Sequence, residues 1–438
     1  MLPTKLRSGT PVGCSRCPGF VCPFVALALL ALAISSARLT AAATGGKVSK
    51  YLYAWAGAAD PSLARDSLFV FSVRPNDEDF GKLLHVIETP YNGLEPHHCR
   101  PSVDGRWLAC SCMLAVFSGL PSILFFSLAN PAKPVLLNNV SLPVHSAVAD
   151  EFVATPDGGF LVTMMGNTSG WAPGRVARYD SDLNLLGEYP RDLRVLESAP
   201  GFNPHGIGAD FKRETMLTVD YLEPASSLVG NTLTFRNTAR LWNLTDMSIT
   251  RTYVLPKTQH SKGAMDAVAI GDTGGYYFTG GNGYLYYLNA TRGKKATPKI
   301  VFDVKTRQTV SCILQPFRGG TRLLMAIFSL DRVFLLDTTM PRKPKVLDVY
   351  KFPKGAGGHV VRVSKDESLV AVGTYFVDEG AIGQIRYPGD CTVRFLRLDP
   401  LGSRFLRGRW PYSRGPVINF TELLPGKGGF RTHGVAFL

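Results

Sequence analysis

Leu94-Glu95-Pro96-His97-His98-Cys99 runs through Arg100 into Pro101-Ser102-Val103-Asp104-Gly105-Arg106-Trp107-Leu108-Ala109-Cys110. Pro96 stiffens the approach to two adjacent imidazoles, and an Asp-Gly turn then leads into an apolar run with strand character. The same order recurs along the chain. Pro204-His205-Gly206 precedes Thr215-Met216-Leu217-Thr218-Val219, Gly358-His359-Val360-Val361 precedes Leu369-Val370-Ala371-Val372, and Thr432-His433-Gly434-Val435-Ala436-Phe437 lies at the C-terminus. Histidines therefore sit at equivalent points of a repeat, and the question is whether the fold brings them together.

Working outward, almost no segment has helical periodicity, whereas short runs rich in Val, Leu, Phe and Tyr alternate with Gly, Pro and Asp turns. The chain reads as all-β. The runs pair as 51–57 with 67–73, 107–113 with 123–128, 160–165 with 175–180, 215–220 with 239–244, 276–280 with 284–288, 323–330 with 333–337 and 369–375 with 392–398. A period of roughly 45 to 60 residues is that of propeller blades rather than of a sandwich or a single barrel. Seven pairs predict seven blades, each needing an inner strand before its pair and an outer strand after it. The inner strands start near His97-His98, Asp150-Glu151, His205, Asp266, Ser311, His359 and His433, and Asp104-Gly105, Asp157-Gly158 and Asp366-Glu367 mark similar turns seven residues past His97, Asp150 and His359. The last inner strand, 434–438, has no successor, so its partner must be 51–57. Pairing the N- and C-terminal strands in one blade closes the circle and leaves no open sheet edge there.

The chain has 438 residues and a formal net charge of +14. Its basic clusters, Arg292-Gly293-Lys294-Lys295 and 404–409, are not interleaved with stacking aromatics, which argues against nucleic acid and for anionic surfaces in general. Lys5, Arg7 and Arg16 precede an apolar run over 20–34 and the small residues Ala41-Ala42-Ala43. That run is shorter than the about 20 residues of a membrane span, so residues 1–43 are expected to be a cleaved signal peptide, with a signal anchor as the alternative, and 44–438 a propeller domain. Secretion without stable membrane insertion is the corresponding location. Sequons at Asn139, Asn167, Asn243, Asn289 and Asn419 are compatible with it. Beyond the leader, Cys99, Cys110, Cys112, Cys312 and Cys391 are odd in number and irregular in spacing, which is not a disulfide framework, so burial is expected to hold the core.

In a propeller the first residues of the inner strands form a ring around the channel. That ring would contain His97 or His98, Asp150 or Glu151, His205, Asp266, Ser311, His359 and His433. A nitrogen-rich set of this kind suits copper, iron or zinc rather than calcium or magnesium, with copper favoured by affinity order and ferrous iron the alternative. Glu95, Glu151 or Asp266 could accept a second ring N–H, and Glu151 or Asp266 could move protons. Cys99 lies beside the histidine pair, and Cys110 and Cys112 share one face of a strand. These thiols are candidate contacts for a soft metal or selenium, with core packing as the other account of them. His85, His145 and His260 fall outside the register.

Tyr-Leu-Tyr-Ala-Trp-Ala-Gly (51–57), Glu-Pro-His-His-Cys (95–99) with Cys-Ser-Cys (110–112), Gly-Phe-Asn-Pro-His-Gly (201–206) and Arg-Tyr-Pro-Gly-Asp-Cys (386–391) together resemble the selenium-binding protein family, also called methanethiol oxidases. Asp-Gly-Gly-Phe-Leu-Val-Thr-Met-Met-Gly (157–166), Tyr-Phe-Val-Asp-Glu-Gly (375–380) and the terminal His-Gly-Val-Ala resemble its divergent microbial branch. The resemblance covers residues 50–438. It implies a seven-bladed propeller that oxidises methanethiol with dioxygen and water to formaldehyde, hydrogen sulfide and hydrogen peroxide, with copper on His97, His98, His205, His359 and His433 and selenium at Cys99, Cys110 or Cys112. The chain departs from the enzyme branch in having C-x-C for C-x-x-C and Ala149-Asp150-Glu151-Phe152 where that branch has a further histidine-rich segment. A four-histidine iron oxygenase and a non-catalytic ligand-binding propeller are the competing functions.

Overall fold

The turn at Asp104-Gly105 shows how one blade begins. Ser102 Oγ donates to Asp104 Oδ1 at 2.6 Å and accepts from Trp107 N at 3.1 Å, closing a tight loop that Gly105, at φ +75°, can complete without a side-chain clash. Thr155 with Asp157 and Ser364 with Asp366 rebuild this polar turn in two other blades. In the first of these hairpins, Pro96–Pro101 and Trp107–Cys112 pair antiparallel, and the apolar residues facing the neighbouring blade are buried.

A computed structural model describes residues 48–74, 78–197, 201–230, 232–255, 262–305, 312–378, 386–412 and 414–438. The leader, Ser311 and His260 lie outside them. Among the described residues seven blades are present, as the spacing predicts. Six are four-stranded sheets, and in the seventh Thr392–Leu398 pairs with both Phe405–Leu406 and Val417–Asn419. The innermost strands are Pro96–Pro101, Ala147–Ala154, Pro204–Asp210, Ala264–Ala269, Cys312–Phe317, Val360–Val363 and Phe430–Phe437. Each touches the next, and Val360–Val363 touches Phe430–Phe437, so they line a closed ring. Closure is by the expected pairing of chain ends: Phe430–Phe437 pairs with Tyr51–Ala58, with Leu52 opposite Phe437 and Trp55 opposite Gly434. Apolar side chains from facing sheets fill the wedges between blades, for example Phe69, Phe71, Phe420 and Phe430 on the closing blade. No helix among the described residues is long and apolar enough to cross a membrane.

One expectation is overturned here. Cys99 and Cys110 are joined in a disulfide. They stand directly opposite each other on neighbouring strands, so the covalent link adds to burial instead of being excluded by the odd cysteine count. Cys112 and Cys391 keep buried thiols.

Candidate metal centre

Strict strand alternation would send His97 and His98 to opposite faces. Each of four inner strands instead carries a bulge in which two residues oppose one: His97-His98 against Ser111, Asp150-Glu151 against Thr163, His205-Gly206 against Val219, and Met265-Asp266 against Thr279. The closing strand has an extra residue at His433. A bulge bends the strand and breaks its alternation, so adjacent side chains can both address the channel. The backbone N–H freed by the bulge needs a partner. Ser111 Oγ accepts it from His98 at 2.9 Å, Thr163 Oγ1 from Glu151 at 3.1 Å and Thr279 Oγ1 from Asp266 at 3.1 Å. Two residues upstream of His97, Asp150, Met265 and His359 stand Glu95, Val148, Gly263 and Gly357, all with positive φ, which turns the chain sharply into the ring.

These bends gather His97, His98, His205, His359 and His433, each 5% exposed or less. One nitrogen each of His97, His98 and His433 lie within 4.8 Å of one another, and so do ligand atoms of His97, Asp150 and His205. Asp150 is the carboxylate at the centre. Its Oδ2 stands 3.1 Å from His205 Nε2 and 3.6 Å from His97 Nε2, and its Oδ1 3.7 Å from His98 Nε2. Yet neither oxygen of Asp150 and neither nitrogen of His97 makes a hydrogen bond, although all four atoms are buried. Leaving a buried polar group unsatisfied costs about 1–3 kcal/mol, more for a charged one, and a shared cation removes the cost at once.

Tautomers agree with this. His433 Nδ1 lies 2.7 Å from the Phe376 carbonyl, which only accepts, so Nδ1 carries the proton and Nε2 offers a lone pair. That lone pair faces His359 Nε2 at 2.9 Å. With the His433 Nε2 lone pair as acceptor, His359 Nε2–H is the donor of this ring-to-ring hydrogen bond. The cluster can hold a metal ion, and its imidazole and carboxylate donors fit a transition metal.

Electrostatics keep the imidazoles available. Burial lowers His98 to about 4 and His205 to about 3, and burial together with the neighbouring imidazoles depresses His97, His359 and His433. Burial pushes Asp150 up, helped by Glu151 and Asp266, and lifts Asp266 to about 7 and Glu95 to about 8. For the metal-free protein these shifts oppose one another. The histidines take up protons on unfolding below their ordinary value of 6.5, so stability is lost as pH falls from 6.5 toward 4. The three carboxyls hold protons that the unfolded chain has released above 3.8 to 4.5, so their contribution is lost as pH rises toward 7 and 8. Each group acts with up to about 1.4 kcal/mol per pH unit. The two sets therefore pull metal-free stability in opposite directions between pH 4 and 6.5, and above 6.5, where the histidines no longer contribute, stability should fall as pH rises toward 8; chemical denaturation that shows no fall over that range would contradict these assignments.

Several expected roles need correction. Glu151 does not stand free to move protons. Burial alone would raise it, but Arg362 and Arg100 outweigh burial and hold it well below the usual range, with Arg362 Nη2 at 2.9 Å from Oε2 and Arg100 Nη2 at 3.2 Å from Oε1. Asp266 is occupied by backbone, accepting from Ala267 N and Leu314 N at 2.8 and 2.7 Å. Glu95 accepts from Tyr375 Oη at 2.5 Å instead of from an imidazole. Cys99 and Cys110, as a disulfide, offer no thiolate to a metal or selenium, and burial raises the Cys112 thiol. Asp150 stands on the sequence-derived ring only as an alternative to Glu151, and Arg100 and Arg362 belong to the site without a place on that ring. Arg100 lies two residues past His98 on the same strand, and that spacing was the available signal.

Above the ring, Met113, Leu222, Phe328 and Phe376 from segments that follow the second strands meet Met165 and the inner-strand Met265 in one apolar layer. It rests on the imidazoles, with ring centroids of Phe376 and His359 at 4.7 Å and of Tyr221 and His205 at 5.0 Å.

No protein-family model matches the chain, and no curated protein matches it. Among solved structures, a hypothetical selenium-binding protein from Sulfolobus tokodaii superposes with a TM-score of 0.68 over 90% of this chain and 94% of that one, at 14% identity. The periplasmic gluconolactonase of Pseudomonas aeruginosa gives a TM-score of 0.58 at 11% identity, covering 89% and 98% of the two chains. A putative 6-phosphogluconolactonase from Bacteroides uniformis gives 0.57 at 10% identity, covering 90% and 100%. What they share with this chain is the propeller fold. At these identities the histidine cluster has to be argued from its own geometry.

Proposed function

We propose that the chain is a copper-dependent oxidase of a small thiol, of the methanethiol oxidase type suggested by its motifs. The reaction would convert one molecule each of methanethiol, dioxygen and water into one each of formaldehyde, hydrogen sulfide and hydrogen peroxide. One observation carries the reading: five buried imidazoles and Asp150 converge, while His97 and Asp150 have no other use for their polar atoms. Copper bound there would supply one-electron chemistry with dioxygen and a soft centre for sulfur.

The protein's own part follows from its residues. His97 would hold the ion either with His98 and His433 or with Asp150 and His205, and His359 stands beside His433. The apolar layer of Met113, Met165, Phe328 and Phe376 covers the imidazoles, and an apolar surrounding favours a small uncharged thiol over a charged one. Of the two carboxyls expected to move protons, Glu151 remains ionised against Arg362 and Arg100, and Asp266 accepts backbone N–H groups on both oxygens. The disulfide and the sequons support a secretory route for the chain after removal of its leader.

A second reading has its own support. His97, His205 and Asp150 form a two-histidine, one-carboxylate group, the donor set of non-haem ferrous oxygenases. Elemental analysis of the purified protein, combined with sulfide and peroxide assays on methanethiol, decides between them. Copper with equimolar sulfide and peroxide is the expected result. Iron without peroxide would move the chain to the oxygenase class, and neither metal with neither product would remove both readings.

A further inference from the structure

We propose that the cleft between the blade containing Tyr284–Asn289 and the blade containing Arg332–Asp337 binds an acidic polysaccharide, taking one sugar ring with its sulfate or carboxylate against Arg292, Lys299 and Arg342. The site shares no residue with the imidazole ring and does not depend on a metal. Of the two basic clusters in the sequence, 404–409 is partly neutralised on folding: Arg407 Nη2 lies 2.7 Å from Asp348 Oδ1, and its Nη1 3.0 Å from Oδ2. The other cluster keeps its charge. Its Arg292 joins Tyr287, Asn289, Lys299, Ile300 and Arg342 around a cleft of about 140 Å³. Among the described residues none of these three cations makes an ion pair or a side-chain hydrogen bond.

The register of the outer strands explains the missing acid. Ile300 stands opposite Tyr286 and Phe302 opposite Leu285, just as Val346 stands opposite Leu336 and Asp348 opposite Leu335 one blade further on. Phe302 therefore holds the place of Asp348, and it packs against Phe334 with ring centroids 6.0 Å apart. The residue that neutralises an arginine at one blade junction is apolar at the other. Both rims of the cleft are also fixed in advance. Tyr277 Oη donates to the Pro341 carbonyl at 2.8 Å, next to Arg342. On the opposite rim Arg251 Nη1 donates to the Lys294 carbonyl at 2.6 Å, and Asn289 Oδ1 accepts from Thr291 N at 3.0 Å. Cations presented from ordered turns around a recess lose less freedom on binding than cations on a mobile surface, and their summed field attracts anions.

The lining selects among anions. A guanidinium takes a sulfate or a carboxylate through paired N–H groups, and two of the three cations are arginines. Ile300, 52% exposed, offers an apolar contact to the C–H face of a sugar ring, and the Tyr287 hydroxyl lies near Arg342. Tyr287 itself is 8% exposed, which leaves no open aromatic face for a nucleic acid base to stack on. A recess between two blades also suits a chain of sugar rings better than a flat bilayer surface.

Titration calorimetry of the full chain with a heparin-derived tetrasaccharide, which carries both sulfate and carboxylate groups, tests the site. All proteins carry Thr291→Ala, which removes the sequon at Asn289 while keeping the Asn289 turn, so no attached glycan stands at the rim. The expected result is binding that Lys299→Gln/Arg342→Gln weakens at least about 10-fold, while Arg404→Gln/Arg409→Gln, which removes the same charge from the other cluster, changes it less than about 2-fold. All five substituted positions are exposed. Equal losses in the two double variants would overturn the site in favour of diffuse attraction, and no binding of the tetrasaccharide would overturn it outright. Inorganic sulfate that displaces the tetrasaccharide at an equal concentration of sulfate groups would overturn the polysaccharide, leaving an adventitious ion only. Phosphatidylserine vesicles that bind where the tetrasaccharide does not, with loss of that binding in Lys299→Gln/Arg342→Gln, would overturn it in favour of a membrane surface.

Discussion

His97→Ala is expected to abolish metal retention, at least a roughly 100-fold loss of affinity, while leaving the fold within about 2 kcal/mol of its starting stability. His97 is common to both ligand groups, the one with His98 and His433 and the one with Asp150 and His205. No other described residue has that position. Removing it therefore damages the centre whichever half carries the ion. The small cost in stability has a physical reason: neither nitrogen of His97 makes a hydrogen bond, so the substitution breaks none. Its cavity penalty is set against relief of a desolvated imidazole that lies tilted against His433 at a centroid distance of 3.6 Å. His205→Ala and His433→Ala then separate the halves. If the ion lies by Asp150, the first should lose far more affinity than the second, and the opposite order places it by His98 and His433. Isothermal titration with Zn²⁺ and a thermal melt of each variant give both quantities. Unchanged affinity in His97→Ala would end the case for a metal at this place.

The pattern that sequence could show was the one that repeats at long range. Seven apolar pairs separated by turns are visible because the second and third strands of each blade are nearly continuous in Val, Leu, Phe and Tyr, as in Leu323 to Leu336. The closing strand was legible too, since 434–438 had no partner other than 51–57. The inner strands hid more. Their bulges destroy the period of two that identifies a strand face, so His97-His98 and Asp150-Glu151 look like polar loop residues, and nothing in one sequence says which of two adjacent carboxylates turns to the metal. Asp150 does, and Glu151 goes to the arginines. The disulfide was readable in principle. A hairpin centred between Asp104 and Gly105 pairs Arg100 with Ala109 and Cys99 with Cys110, and counting outward from that turn would have set the two cysteines opposite each other. An odd total of cysteines hid a local pair. Arg362 could not be found this way, because it meets Glu151 from a blade more than two hundred residues distant.

Gly434→Ala should be strongly damaging, since it acts on the closure and on the centre together. A Cβ at residue 434 would lie 2.1 Å from the carbonyl oxygen of His97 and 3.2 Å from Cys99 N. Both are backbone atoms of the next inner strand, held by the β-ladder and by the disulfide, so neither can step aside as a flexible side chain would. Separation to normal contact requires more than about 1 Å of movement between the closing strand and its neighbour, by roughly the difference between 2.1 Å and an ordinary contact of about 3.4 Å. Overpacking of a rigid interior costs about 1–3 kcal/mol and occasionally more, and the upper end applies where backbone meets backbone. The displacement also carries His433 away from His97 and His359, so metal affinity should fall with stability. Gly206→Ala offers the matching test elsewhere on the ring, where the added carbon would lie 2.5 Å from Asp266 Cα and Ala267 N. That variant leaves the chain ends paired. If closure by the terminal strands matters as the pairing of Leu52 with Phe437 implies, Gly434→Ala should expose the N-terminal strand to proteolysis below the melting temperature, and Gly206→Ala should not. Equal protection of 51–58 in both variants would separate the glycine's steric role from the closure and leave only the site effect to explain.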